Sequence, residues 1–113
     1  MLLSWFLLLL NCSAPATPAE LDLRVNYMYY ACEPCTDNYQ VESSATPQGR
    51  ALVGQDITIL YEGQPLESTH AFPSSVRPGR ARFRIWGQLR ARSLSQWLSG
   101  GRTIAARRVQ WLG

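Results

Sequence analysis

The chain has 113 residues and a formal net charge of +3, and its eleven basic residues are all Arg. A chain of this length buries one modest core, which excludes a second domain. The charges are segregated, because every acidic residue lies between Glu20 and Val76, whereas residues 77–113 contain nine Arg and no acid. This segregation predicts that the two halves attract one another across adjacent strands. The alternative is a basic face for a polyanion.

The N-terminal segment opens with an apolar run, Met1–Leu10, followed by small and Pro residues up to Ala19. A transmembrane helix needs roughly 20 apolar residues, so the run is too short to span a bilayer and has the length of an export signal. The usual Lys or Arg before such a run is absent. We predict an export signal and short linker in residues 1–19, and a single small β domain in residues 20–113.

Two kinds of export are compatible with this segment. Residues 9–12 resemble a bacterial lipoprotein signal, in which the cysteine after the apolar run, here Cys12, is lipidated, although Asn rather than a small residue precedes it. The alternative is soluble secretion after cleavage at a small residue such as Ala19. Lipidation of Cys12 would leave Cys32 and Cys35 as an even pair. The sequence therefore favours the periplasm or cell envelope, with a lipid anchor, over full secretion.

The longest alternating pattern runs from Leu21 to Cys35, with apolar residues at every second position as far as Ala31. This pattern predicts a strand with one face on a core. Pro34 cannot donate to a ladder, so a turn is expected there. Because alternation resumes at Tyr39, we predict an antiparallel hairpin with the two cysteines at its tip.

The remaining chain predicts further strands and loops. Gly87 falls on the core face of its strand and predicts a bulge or bend. The segment Ser93–Gly101 is either a capped helical turn or a wide hairpin loop. The other predicted elements are a loop at Ser43–Gly49, strands at Asp56–Glu62, Ala81–Arg92 and Arg102–Leu112, the last with an irregularity at Ala105–Ala106, and a long irregular surface connection from Gly63 to Gly79 without a helix.

The predicted fold class is all-β, with about five antiparallel strands in a small barrel or sandwich. An α/β fold would need helical crossovers, and no segment has that pattern. A five-stranded oligonucleotide/oligosaccharide-binding (OB) type of barrel suits the number of strands, the bend at Gly87 and the long central connection.

The pair Cys32 and Cys35 has three interpretations. The first is a structural disulfide that shapes the hairpin tip. The second is redox chemistry, since residues 29–35 resemble the end of the first active-site strand of thioredoxin-like proteins. That resemblance implies an attacking thiolate at Cys32 and a resolving thiol at Cys35, followed by a long helix where this chain alternates like a strand. The third is a metal site, but with His70 it would have at most three ligands, so no metal is predicted.

The strand before Ser93 carries the candidate anion-binding residues on the side opposite the core. Guanidinium groups neutralise phosphate or carboxylate, and indole stacks on a base or a sugar. The alternative is an ordinary exposed strand face. The candidates are Arg82, Arg84, Trp86, Arg90 and Arg92. The expected partners are an anionic envelope glycan, a lipid head group or an acidic protein. Nucleic acid is not expected if the chain is exported, and membrane contact is expected only through the N-terminal segment.

No catalytic residues and no cofactor are predicted. A Ser/His/Asp set would depend on the lone His70, and no phosphate-binding loop is visible. The predicted function is therefore a binding or structural role in the cell envelope for an exported domain, which lipidation of Cys12 would anchor. The alternative is a thiol–disulfide oxidoreductase that uses Cys32 and Cys35.

Overall fold

The computed structural model describes residues 19–28 and 37–113, which form a mostly β structure. Its strands are β1 (Leu21–Tyr27), β2 (Tyr39–Ser44), β3 (Asp56–Tyr61), the two-residue β4 (Gln64–Pro65), β5 (Arg82–Leu89) and β6 (Thr103–Trp111). Two short helices are present, α1 (Pro47–Arg50) and α2 (Leu94–Ser99), with a 3₁₀ turn at Leu66–Ser68. The prediction of a small all-β domain is confirmed. Among the described residues, no helix is long and apolar enough to cross a membrane.

The strands close into a ring. The sheet order is β2-β1-β5-β6-β3-β4, and β2 also pairs with β3, so five strands form an OB-like barrel with β4 at its margin. The pair β3–β6 is parallel, which corrects the expectation of a purely antiparallel sheet. The reason is geometric. Strand directions cannot alternate all the way around a ring with an odd number of strands, so at least one adjacent pair must be parallel.

The core is built from the alternation seen in the sequence. Side chains at every second position of β1, β3 and β5 point inward, as a pleated strand requires. The large side chains with essentially no exposure are Leu23, Val25, Tyr39, Val41, Ile57, Ile59, Leu66, Phe83, Ile85 and Ile104. Most of these positions were predicted from period 2 alone.

The first hairpin is confirmed, although β1 is shorter than its sequence pattern. β1 ends at Tyr27, which pairs with Tyr39 of β2 in an antiparallel register. The Met28 N–H then donates to the Asn38 carbonyl at 2.7 Å. The rest of the predicted strand and the cysteine-containing tip, residues 29–36, lie outside the described residues.

The long connection after β3 differs from the expected surface loop. It begins with a tight turn at Glu62 and Gly63, both with positive φ, and that geometry is typical of a hairpin. Leu66 is fully buried. Phe72 stacks on Phe83 with ring centroids 5.6 Å apart. The connection therefore contributes to the core, because its apolar side chains cover the end of the barrel where β1 ends.

A local prediction is confirmed at β5, and at α2 the structure has the capped helical turn rather than the wide hairpin loop. The register of β5 with β6 shifts between Trp86 and Gly87, which is the expected bulge, and a Cβ at Gly87 would collide with the backbone of Ala105. Ser93 caps α2 through a reciprocal capping box with Gln96. Gly100 ends the helix in the left-handed conformation, with φ of 80°.

Candidate anion-binding surfaces

The outer side of β1, β5 and β6 carries a grid of six side chains, which we call the arginine face. Cross-strand pairing fixes the grid, since Asp22 lies opposite Trp86 and Arg24 opposite Arg84, and the next strand continues each row. The rows are Asp22–Trp86–Arg108 and Arg24–Arg84–Gln110. Three guanidinium groups therefore share this face with one carboxylate.

Arg84 is held by the carboxylate of Asp22. Its Nε donates to Oδ1 at 3.0 Å and its Nη2 donates to Oδ2 at 2.7 Å. The hydrogen bond from Arg84 lowers the pKa of Asp22, with smaller contributions from the positive charge of Arg24 and from the Trp86 side chain. The side chain of Asp22 is only 16% exposed. Arg84, predicted as an anion-binding residue, thus already has an anionic partner within the fold.

Trp86 is covered by two guanidinium groups. The Cζ atoms of Arg84 and Arg108 lie 4.5 and 4.7 Å from the centroid of its ring. Cation–π contacts of this kind hold the indole and both Arg side chains together. A base or sugar that stacked on a covered part of the ring would have to displace one of these groups.

Arg24 and Arg108 are the remaining cations of the arginine face. Both side chains are exposed. Within residues 19–28 and 37–113, neither makes an ion pair or a side-chain hydrogen bond. The sequence analysis did not select them, because all the predicted anion-binding residues belong to the strand Ala81–Arg92, whereas Arg24 and Arg108 lie on β1 and β6. Their positions in the alternation of each strand were visible, but their adjacency depends on which strands pair.

Two further ion pairs lie beside the arginine face. The Nε atom of Arg82 lies 3.4 Å from Oε1 of Glu42, and Nη2 of Arg107 lies 2.6 Å from Oε1 of Glu20. Like the pair of Arg84, each joins the basic C-terminal third to the acidic first half. The predicted attraction between the two halves is therefore present in the fold.

Arg90 and Arg92 do not lie on the arginine face. They were expected to share a strand with Arg84, but β5 ends at Leu89 and the capping box at Ser93 starts α2. Arg92 instead lies with its Cζ 5.1 Å from the ring centroid of Trp97 on α2. The two residues belong to a second basic region at the end of the barrel, which also includes Arg102.

Arg92 and Arg102 are chemically unusual in this second region. The Nε atom of each is buried and has no hydrogen-bond partner in the part of the chain that the structure describes. Burial lowers the pKa of Arg102, and the neighbouring charge of Arg92 lowers it further. Two guanidinium groups therefore lie near one another without a carboxylate to separate them.

The surface of β2 and β3 is acidic by comparison. In OB barrels the face of the second and third strands commonly binds oligonucleotides or oligosaccharides. Here that side carries Asp37, Glu42 and Asp56, with Asp37 accepting a hydrogen bond from the Thr58 hydroxyl at 2.6 Å. Carboxylates repel phosphate, so this surface is poorly suited to a nucleic acid.

The predictions that involve cysteine concern Cys12, Cys32 and Cys35, and all three residues lie outside the described part of the chain. The strand β2 begins at Tyr39, close to the position where the thioredoxin-like resemblance implies a long helix. His70 is exposed and lies 3.9 Å from Glu62. The described residues contain no group of three side chains able to hold a metal ion. The disulfide, redox and lipid assignments stay predictions.

Comparison with known proteins adds no assignment: no family model, no curated protein and no solved structure matches the chain.

Proposed function

We propose that this chain is a non-catalytic binding domain of the cell envelope, and that its arginine face holds an acidic glycan. The observation that carries the proposal is the pair of exposed cations, Arg24 and Arg108, neither of which makes an ion pair among the described residues. The only acid in the grid, Asp22, is already engaged with Arg84. The face keeps an excess of positive charge that an anionic ligand can use.

The arrangement suits an extended polymer better than a small ligand. Neighbouring strands lie about 4.8 Å apart, so the three strands spread their cations over the outer surface of the barrel instead of converging on a pocket. Arg24 and Arg108 occupy opposite corners of the grid. Guanidinium groups bind carboxylate or sulfate in a bidentate fashion. A chain with repeating negative charges can reach both corners at once.

Asp22 and Trp86 have a supporting role in this proposal. The bidentate contact with Asp22 and the stacking on Trp86 restrict the rotamers of Arg84 and Arg108. Side chains that are already ordered lose less conformational entropy when a ligand binds. The carboxylate therefore organises the surface, although it removes one positive charge from it.

The location in the envelope rests on the sequence of the N-terminal segment. Its apolar run and the cysteine that follows support export with a lipid anchor at Cys12. An acidic polysaccharide is the anionic polymer that an exported domain meets there. Acidic proteins would share the same surface chemistry.

The test is retention of the full chain on an immobilised acidic polysaccharide, polygalacturonate, at increasing salt. The variant Arg24→Glu/Arg108→Glu should bind about tenfold more weakly, because two contacts become repulsive. The matched control is Arg50→Glu/Arg77→Glu, which makes the same charge change at two exposed Arg outside the face. An equal loss in both variants would show only a dependence on net charge and would reject the proposal. Failure of the unaltered chain to bind would also reject it.

A further inference from the structure

The helix α2 has its apolar side turned to solvent. Leu94, Trp97 and Leu98 are 78%, 67% and 84% exposed, and their i, i+3, i+4 spacing places them on one face. The polar Gln96 points the other way, where its amide donates to the Thr103 hydroxyl. A surface helix normally buries its apolar stripe and exposes its polar residues. In α2 the apolar stripe is exposed instead, so it is available to a partner.

The neighbouring arginines indicate the charge of that partner. The Nε atoms of Arg92 and Arg102 are buried without an acceptor, although buried N–H groups almost always have one. No acidic residue occurs anywhere from Arg77 to Gly113. Arg92 also lies over the ring of Trp97, so a cation and the apolar stripe are in direct contact. Two cations without an ion pair among the described residues therefore lie beside the exposed apolar side chains.

The end of the barrel at which β1 begins indicates the kind of surface. α2 connects the end of β5 to the start of β6. β1 begins at the same end of the barrel, because Leu21 pairs with Gly87. The apolar run Met1–Leu10 is therefore joined to the end of the barrel that carries α2. A lipid attached at Cys12 would be linked to the same strand, since Cys12 also precedes β1 in the sequence.

We propose that α2, with Arg92 and Arg102, is a docking surface for an anionic phospholipid bilayer. Leu94 and Leu98 enter the boundary of the acyl chains, and Trp97 lies at the level of the head groups, where indole is favoured. The terminal N–H groups of the Arg92 and Arg102 guanidinium groups donate hydrogen bonds to lipid phosphate oxygens. Anionic lipids attract such cations at short range. This surface is separate from the arginine face, and the inference does not depend on the glycan proposal.

A second copy of the chain is a poorer occupant of the same surface. A symmetric contact through α2 would place the Arg92 and Arg102 of one copy against those of the other. Residues 77–113 contain no acidic side chain to offset this repulsion, and the carboxylates of Asp37 and Asp56 line a different pocket with Gly100 and Gly101. Charge complementarity therefore selects an anionic surface over self-association.

The experiment measures quenching of Trp97 in the full chain by vesicles of brominated phosphatidylcholine, with or without about 30 mol% phosphatidylglycerol. The signal of Trp97 is the difference between the unaltered chain and Trp97→Phe. This local readout separates docking of α2 from any insertion of the N-terminal run. We expect Trp97 to lose at least half of its fluorescence on the anionic vesicles, and severalfold less on neutral vesicles or at about 0.5 M salt.

Two variants test the two components of the surface, with vesicle affinity followed by the same quenching. Leu94→Ser/Leu98→Ser and Arg92→Gln/Arg102→Gln should each weaken the interaction about tenfold. The control Arg50→Gln/Arg77→Gln removes two exposed charges elsewhere and should change it less than about twofold. Circular dichroism confirms the fold of each variant. Both α2 variants should keep their retention on polygalacturonate, so failure of one proposal is distinguishable from failure of the other.

Three results would overturn the membrane proposal. The first is no quenching of Trp97 by anionic vesicles. The second is equal quenching on neutral and anionic vesicles with no effect of Arg92→Gln/Arg102→Gln, which would indicate apolar adsorption alone. The third is a lipid-free dimer, detected by light scattering, that is lost in Leu94→Ser/Leu98→Ser and shields Trp97 from a soluble quencher.

Discussion

The arginine face and the α2 end of the barrel use the same residue type in opposite ways. On the arginine face, Arg84 has a carboxylate from the neighbouring strand within hydrogen-bond distance. At the α2 end, Arg92 and Arg102 have buried Nε atoms with no acceptor among the described residues. The first arrangement stabilises the fold, and the second leaves hydrogen-bonding capacity unused.

This contrast indicates that the neighbouring charges of an Arg, rather than its exposure, decide whether it forms an ion pair within the fold. β1 comes from the acidic half of the chain and pairs with β5, so the arginines of β5 meet carboxylates. The connection through α2 is flanked by basic segments on both sides, so its arginines meet one another. Three substitutions test this comparison, in order of decreasing effect on stability.

The largest loss of stability is expected at Gly87. There the register of β5 and β6 shifts, and Arg107 is the extra residue of β6. Arg107 turns to Glu20, while Arg108 lies over Trp86. A methyl group at Gly87 would collide with the Ala105 backbone, which cannot move without breaking the ladder of β5 and β6. We expect Gly87→Ala to lower the free energy of unfolding by about 2–4 kcal/mol in urea denaturation.

The control for this substitution is Gly79→Ala. Gly79 has a positive φ of 79° but open space around its Cβ position. Its substitution should cost only about 1 kcal/mol, from backbone strain. A loss at Gly87 no greater than that at Gly79 would mean that the bulge tolerates a side chain.

A smaller loss in the free energy of unfolding is expected when the carboxylate of Asp22 is removed from the arginine face. Asp22→Asn eliminates the bidentate ion pair with Arg84 while keeping the shape of the side chain. We expect the free energy of unfolding to fall by about 1 kcal/mol at neutral pH, measured by urea denaturation. The exposed pair of Glu20 with Arg107 is the comparison, and Glu20→Gln should have a smaller effect because solvent screens it.

The pH dependence of this difference has a definite sign. The folded protein holds the pKa of Asp22 below its unfolded value, so the contribution is complete above about pH 5 and disappears as the pH falls through the lowered pKa. The curves of stability against pH for the unaltered chain and for Asp22→Asn should therefore converge in acid. Parallel curves down to about pH 2 would show that Asp22 is not the titrating group.

The smallest change in the free energy of unfolding is expected for a substitution at the α2 end of the barrel. Arg92→Gln removes one of two neighbouring like charges and loses the contact with an exposed indole. These changes oppose one another, so the free energy of unfolding should change by less than about 0.5 kcal/mol. A loss as large as that of Asp22→Asn would mean that Arg92 has an acceptor within the fold, and the contrast between the two regions would disappear.

Sequence periodicity predicted the inward side chains of β1, β3 and β5, Gly87 on the core face predicted a bulge or bend, and the cap at Ser93 was one of two alternatives. These features depend on local geometry, namely side-chain alternation along a strand, the absence of a Cβ and a serine before a helical turn. The burial of Leu66 and the packing of Phe72 on Phe83 were missed, since an irregular connection has no period that marks its inward residues. The candidate surface was predicted only in part, because Arg24 and Arg108 join Arg84 through strand pairing.

The sequence by itself determined that this chain is a small β domain with segregated charge, because composition and period 2 are properties of neighbouring residues along one chain. Tertiary structure alone decided which charges meet. Closing five strands into a ring placed β5 between β1 and β6 and made β3 and β6 parallel. That closure engaged Arg84 with Asp22 and left Arg92 beside Arg102, since the position of a cation relative to an anion depends on strand order and register rather than on distance along the chain.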